Sequence, residues 1–142
     1  MGIWFKPYTV EALRPFNEVK MLAHLDIRLE EIGEDYLTGS MPVDDRTQQP
    51  FGILHGGASV VLAESLGSIA SNLVLDHNTH YAVGLDVNAN HLRSVSSGRV
   101  TGVAKPLHLG RSTHVWEIKI MDQQGKLCVI SRLTMAVMER KS

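Results

Sequence analysis

Pro50-Phe51-Gly52-Ile53-Leu54-His55-Gly56-Gly57 leads without a break into Ala58 to Leu75, the longest uninterrupted apolar segment of the chain. Within that segment Leu62, Leu66, Ile69 and Leu73 recur at i, i+4, i+7 and i+11, the spacing of one helical face pressed on a core. Ala63, Gly67 and Ala70 lie beside the stripe and let another backbone come close. A single charge, Glu64, stands in this background, with Ser68 one turn later on the same face. A lone carboxylate on an apolar helix is costly unless it is paired or used. The segment is barely long enough to cross a bilayer, and Glu64 and four serines interrupt it, which argues against a membrane span. The expectation is a buried central helix carrying a chemical group.

On the N-terminal side, Met1 to Leu25 reads as an entry arm. Thr9 caps a helical turn that Pro15 stops, and Asn17 caps a second short helix to about Leu22. Ile27 to Glu30 alternates, and Gly33-Glu34-Asp35 turns it into Tyr36 to Val43, a hairpin. Asp44 to Pro50 is a polar loop containing Gln48 and Gln49. Beyond the helix and the loop Asp76 to Thr79 come four strand-like runs: Tyr81 to Asn90, Arg99 to Ala104, Thr113 to Met121 and Leu127 to Met138. Turn signals at Ser97-Gly98 and Asp122 to Gly125 separate the later ones. Strands following one another through short turns imply an antiparallel sheet with the helix over one face, an α+β domain spanning residues 1–142. Its uncovered face and sheet edge suit pairing with a second subunit.

The 142 residues, 44% of them hydrophobic, suffice for one domain with a real core. A net charge of -1 gives no general attraction to nucleic acid or a membrane surface. The charges are uneven: five basic and ten acidic residues up to Leu75, nine basic and five acidic from Asp76 onward. A basic half in a near-neutral chain suits a small anionic ligand better than a polyanion. The single cysteine, Cys128, excludes an intramolecular disulfide and a Cys-rich metal site, and its apolar neighbours predict a buried thiol. The histidines lack ligand spacing, so no metal is expected. No phosphate-binding or dinucleotide glycine fingerprint is present, which argues against ATP and NAD chemistry. The N-terminus shows no basic-then-apolar leader, so a cytoplasmic location is expected.

This element order, with His55-Gly56-Gly57 at the helix start and Glu64 in its second turn, resembles the hotdog-fold acyl-CoA thioesterases. Within them it is most similar to the Arthrobacter-type 4-hydroxybenzoyl-CoA thioesterase branch, on the side that serves menaquinone and enterobactin synthesis. The tracts that carry the resemblance are Met41 to Asp44, Gln49 to Gly52, Leu54 to Ser59, Leu62 to Ser65, Asn88 to His91 and Lys105 to Leu107. It implies a hotdog fold, an antiparallel sheet wrapped around one long helix. It implies hydrolysis of an acyl-CoA thioester with an aromatic acyl group, dihydroxynaphthoyl or hydroxybenzoyl, delivered on CoA or on an acyl or aryl carrier protein. No cofactor is implied beyond the CoA of the substrate. A homo-oligomer is implied, a dimer with shared sites and further a tetramer, in which Glu64 and Ser68 of one subunit face Gln49, His55 and Gly56 of the other.

The chemistry gives each residue a reason and an alternative. A thioester needs a polarised carbonyl, an attacking oxygen and a leaving thiolate. Gly56 opens the helix, where amides lack partners and no side chain shields them; one such oxyanion donor is typically worth about 3 kcal/mol. Glu64 fits a nucleophile forming a mixed anhydride or a base activating water, and equally a structural ion pair with Arg93 or Arg132. Gln49 matches the glutamine that positions the thioester or the water. Ser68 fits a water- or substrate-orienting hydroxyl, or a small residue chosen for close packing. His55 fits a group shaping the site or a structural residue before Gly-Gly. His91, Arg93, Lys105, His108 and Arg111 are candidates for the CoA phosphates, each with a solvated strand-end charge as its alternative. A pocket lined by Phe51, Leu54, Val60 and Val61 would discriminate weakly among hydroxybenzoyl, dihydroxynaphthoyl, phenylacetyl and short aliphatic groups. A hotdog hydratase/dehydratase and a non-catalytic acyl-CoA-binding protein are the competing functions.

Overall fold

The computed structural model describes residues 2–141. In chain order it holds α1 (Val10–Leu13), a 3-10 turn (Arg14–Glu18), α2 (Lys20–His24), β1 (Arg28–Ile32), β2 (Leu37–Pro42) and α3 (Gly56–Val74). Then follow β3 (His80–His91), β4 (Arg99–Leu109), β5 (Thr113–Met121) and β6 (Leu127–Glu139). The strands form one six-stranded antiparallel sheet in the order β1-β2-β4-β5-β6-β3. The 19-residue α3 packs against β2 through β6, the hotdog arrangement.

Leu66 shows why the sheet wraps so closely. Gly39 of β2 and Gly102 of β4 are direct cross-strand partners. A β-carbon on them would lie 2.6 Å and 2.8 Å from the Leu66 methyls, so the glycine pair is the hollow that Leu66 fills. Leu62, Ala63, Ala70 and Leu73 extend this contact over Trp116, Ile118, Ile120, Leu133 and Met135, all buried. Ile69, fourth member of the stripe, is only half-buried and lies at its margin. By length and composition α3 could cross a membrane, but here it is the core helix.

The structure corrects the strand connectivity read from the sequence. β3 does not pair with β4, its successor; it lies at the sheet edge against β6. β4 must instead meet β2, because that pairing brings the two glycines under Leu66. The chain therefore crosses from edge to interior through residues 92–98. β4 also runs five residues beyond Ala104. It tolerates Pro106, which has no N–H to give the ladder, because the register shifts between Pro106 and His108.

Thr9 caps α1 as expected, its hydroxyl accepting from the Ala12 N–H at 3.2 Å. Asn17 caps no helix: α2 starts after Val19 with no side-chain cap, and Asn17 Oδ1 accepts the Leu29 N–H at 2.9 Å, pinning β1 to the entry arm. Asn17→Ala is therefore expected to cost about 1 kcal/mol, one net hydrogen bond, in chemical denaturation. On α3, Asn72 grips the start of β3: its Nδ2 donates to Ala82 O at 3.1 Å and its Oδ1 accepts from Ala82 N at 2.9 Å.

Three polar features complete the core. The Ser71 hydroxyl accepts from Trp116 Nε1 at 2.8 Å and lies 2.8 Å from His114 Nδ1, all buried. Burial first, and the charge of His108 second, hold the His114 imidazole below its usual value. Burial works to raise the Asp26 carboxyl, but hydrogen bonds from Arg28 and Arg99, each pairing at 2.9 Å, outweigh it and hold the carboxyl below the usual range. Cys128 is the buried thiol that its apolar neighbours predict, and burial pushes it up.

Candidate active site

The helix start is built by its own loop. The His55 N–H donates to Thr47 O at 2.8 Å, and His55 Nδ1 accepts from the Gly57 N–H at 2.8 Å, so this side chain is the N-cap of α3. That bond leaves Nε2 to carry the ring proton, on an exposed side chain. The Gly56 N–H has no acceptor among the described residues. The His91 ring, from the end of β3, lies 3.1 Å from where a Gly56 β-carbon would be. Together they open on a cleft of about 390 Å³ whose lining includes Gln49, Gly56, Ser59, His91, Arg93 and Val95. Gln49 Oε1 accepts the Phe51 N–H, which leaves its amide nitrogen free to donate to an oxygen in the cleft.

Glu64 and Ser68 are elsewhere. They line a second groove of about 350 Å³ with Met21, Leu22, Val61 and Ile69. Glu64 is half-buried and makes no ion pair or side-chain hydrogen bond among the described residues. The structural ion pair with Arg93 or Arg132 is absent: Arg93 belongs to the first cleft, and Arg132 lies on the outer sheet face opposite Glu117 and Asn88. Glu64 stands eight residues after Gly56, about 12 Å along the helix axis and a quarter-turn around it. A carbonyl held at the Gly56 amide is beyond the reach of the same chain's Glu64.

The five basic candidates do not gather. His91 and Arg93 line the cleft. Lys105 lies on the outer face opposite Glu117, with its ammonium 5.9 Å from the Tyr36 ring centroid. His108 and Arg111 sit at the β4–β5 turn, the far end of the sheet from His91. Of the expected apolar lining, Leu54 is in the cleft and Val61 in the groove, while Val60 lines neither and Phe51 is 91% exposed. Met21 and Leu22 were not foreseen at the site; their signal was only an apolar pair in a short helix. The crossover residues Leu92 and Val95 were missed because they look like connecting loop. Among the described residues no three His, Cys, Asp or Glu side chains converge as metal ligands.

Comparison with known proteins agrees with this geometry. The thioesterase superfamily profile matches residues 51–129. The 1,4-dihydroxy-2-naphthoyl-CoA hydrolase of Escherichia coli K12 is 56% identical over 136 residues, which cover 96% of this chain and 99% of that protein. The proofreading thioesterase EntH of Cronobacter turicensis is 49% identical over 136 residues, covering 96% and 98%. A solved structure of a Q49A variant of the thioesterase PA1618 from Pseudomonas aeruginosa superposes with a TM-score of 0.95 at 53% identity, covering 98% of this chain and 100% of that one. Fold, helix-start motif and relatives converge, and this chain belongs to the thioesterase superfamily, as an enzyme that hydrolyses thioesters.

Proposed function

We propose that this enzyme hydrolyses an acyl-CoA with an aromatic acyl group, of the dihydroxynaphthoyl or hydroxybenzoyl kind, in sites that each draw on two copies of the chain. The observation that carries this reading is the free Gly56 amide and the unpaired Glu64 on one helix, too far apart to share a carbonyl. A second copy supplies the missing half. Glu64 lies against Gly84 of β3, and Gly56 lies under His91 of the same strand. β3 has a bare outer edge, with Val83 44% and Leu85 64% exposed. Antiparallel pairing of two β3 edges centred near Val87 and Asn88 lays Gly84 opposite the partner's His91, and so brings Glu64 toward the partner's Gly56. No cofactor beyond the substrate's CoA takes part.

In that composite site the Gly56 and Gln49 amides polarise the thioester carbonyl and receive the developing oxyanion. Glu64 either attacks the carbonyl carbon, expelling CoA thiolate and leaving a mixed anhydride for water to cleave, or takes a proton from the attacking water. Ser68, in the groove with Glu64, orients that water. His55 shapes the loop that presents Gly56. Met21, Leu22, Val61 and Ile69 hold the acyl ring, and His91 and Arg93 meet the CoA phosphates. The aromatic preference is supported by this apolar groove and by the E. coli relative's named substrate.

Free-thiol release from dihydroxynaphthoyl-, hydroxybenzoyl-, phenylacetyl- and short aliphatic CoA thioesters tests the reading. The aromatic esters are expected to give the highest kcat/KM. Release fastest from aliphatic esters would overturn the acyl preference, and CoA binding without release from any ester would leave a binding protein. Arg93→Ala is expected to raise KM about two- to fivefold at unchanged kcat, the worth of an exposed ion pair, with the difference vanishing in high salt.

A further inference from the structure

We propose that Gly84 is a positioning residue: the bulge in β3 at Gly84 is the seat that holds the Glu64 carboxylate at the reacting carbonyl. The inference rests on Glu64 being the reacting carboxylate. β3 carries one register irregularity against β6: Gly84 pairs with Met135 and Asp86 with Thr134, so Leu85 is an extra residue. At this point Glu64 Oε2 occupies the place that a β-carbon on Gly84 would take. No hydrogen bond or ion pair holds the carboxylate among the described residues, so its place is set by the space that the missing side chain leaves open over the strand and by the packing of α3.

A glycine at a bulge commonly answers to backbone conformation, but here it does not. The φ of Gly84 lies outside the left-handed region, so an alanine can adopt the same backbone. Nor is the added methyl aimed at anything rigid. Among the described residues, and apart from its chain neighbours, the Glu64 carboxylate is the only group within 4 Å of the added β-carbon, the far end of a rotatable side chain. Alanine therefore leaves the fold unstrained and displaces the carboxylate by about 1 Å, out to ordinary van der Waals contact. A catalytic group moved by about 1 Å loses on the order of 10²-fold in rate.

The test is kcat and KM for thiol release by Gly84→Ala, measured in the natural chain and in a Glu64→Asp background, alongside Glu64→Ala. Gly84→Ala is expected to lower kcat by about 10²-fold with KM, unfolding midpoint and oligomeric state unchanged. Asp is one methylene shorter and withdraws from Gly84. In the Glu64→Asp background the added methyl is therefore expected to change kcat less than about twofold, a non-additivity that a structural role does not give. Natural kcat in Gly84→Ala, with Glu64→Ala inactive, overturns the seat. An equal loss in both backgrounds overturns it too, and so does loss of assembly or of unfolding midpoint in Gly84→Ala, which assigns the glycine to the edge ladder. If Glu64→Ala itself keeps full activity, the underlying role of Glu64 fails, a result distinct from failure of the seat.

Discussion

Glu64→Ala is expected to lower kcat for thiol release by about 10²–10⁴-fold, the range for loss of a positioned acid-base or nucleophilic side chain, with KM little changed. The loss should fall on kcat because Glu64 lies in the groove proposed for the acyl group, apart from the cleft lined by His91 and Arg93 that is proposed for CoA. Glu64→Gln keeps the shape and removes the charge, and should lose nearly as much. Neither variant should lose stability. Glu64 has no ion-pair partner to be orphaned, and removing a half-buried, unpaired charge leaves the unfolding midpoint level or raises it. A structural carboxylate predicts the reverse, a stability loss with activity falling only in proportion to folded protein. Residual activity within tenfold of the natural enzyme would pass the reacting role to Gln49 or His55.

Ser71→Ala is expected to be the most damaging single-atom deletion in the core. One hydroxyl serves two buried partners, Trp116 Nε1 and His114 Nδ1, each at 2.8 Å. Its removal orphans both, at about 1–3 kcal/mol for each, and equilibrium denaturation in urea will read the sum. The same cluster contributes to the acid sensitivity. Folded His114 is held below its usual value of 6.5, so the unfolded chain takes up a proton first as pH falls. The stability from keeping His114 neutral is fully present above 6.5 and is lost as pH drops from there toward the folded value. His114→Gln, uncharged at every pH, should flatten that slope between pH 7 and 5. An unchanged slope would put the acid sensitivity elsewhere.

What could be read from the sequence divides along physical lines. The stripe through Leu62 and Leu66 and the alternation of Thr113 to Met121 are local periodicities, and both elements lie where they were expected. The β3–β6 pairing was hidden because it depends on which strands leave room for Leu66, a property of Gly39 and Gly102 together rather than of either alone. Glu64 and Gly56 stood out because a charge and a bare backbone are anomalies in an apolar helix. Met21, Leu22 and Gly84 contribute shape, or the lack of it, and shape leaves no mark in a pattern of types. The basic cluster dispersed for a geometric reason. Each strand residue advances about 3.3 Å, so β4 carries its charges steadily away from the cleft.

The edge position of β3 also dictates an order of events in synthesis. This strand leaves the ribosome directly after α3, yet its ladder partner within the chain, β6, begins 36 residues beyond the end of β3. Until Leu127 to Glu139 has emerged, β3 has no strand of its own chain to zip against, and α3 lacks the cover of β6 and of a seated β3. Closure of the sheet is thus a late, long-range event that pays its loop entropy before it is rewarded. Chains stalled before Leu127 would expose part of an apolar helix and an unmated strand together, a combination prone to aggregation.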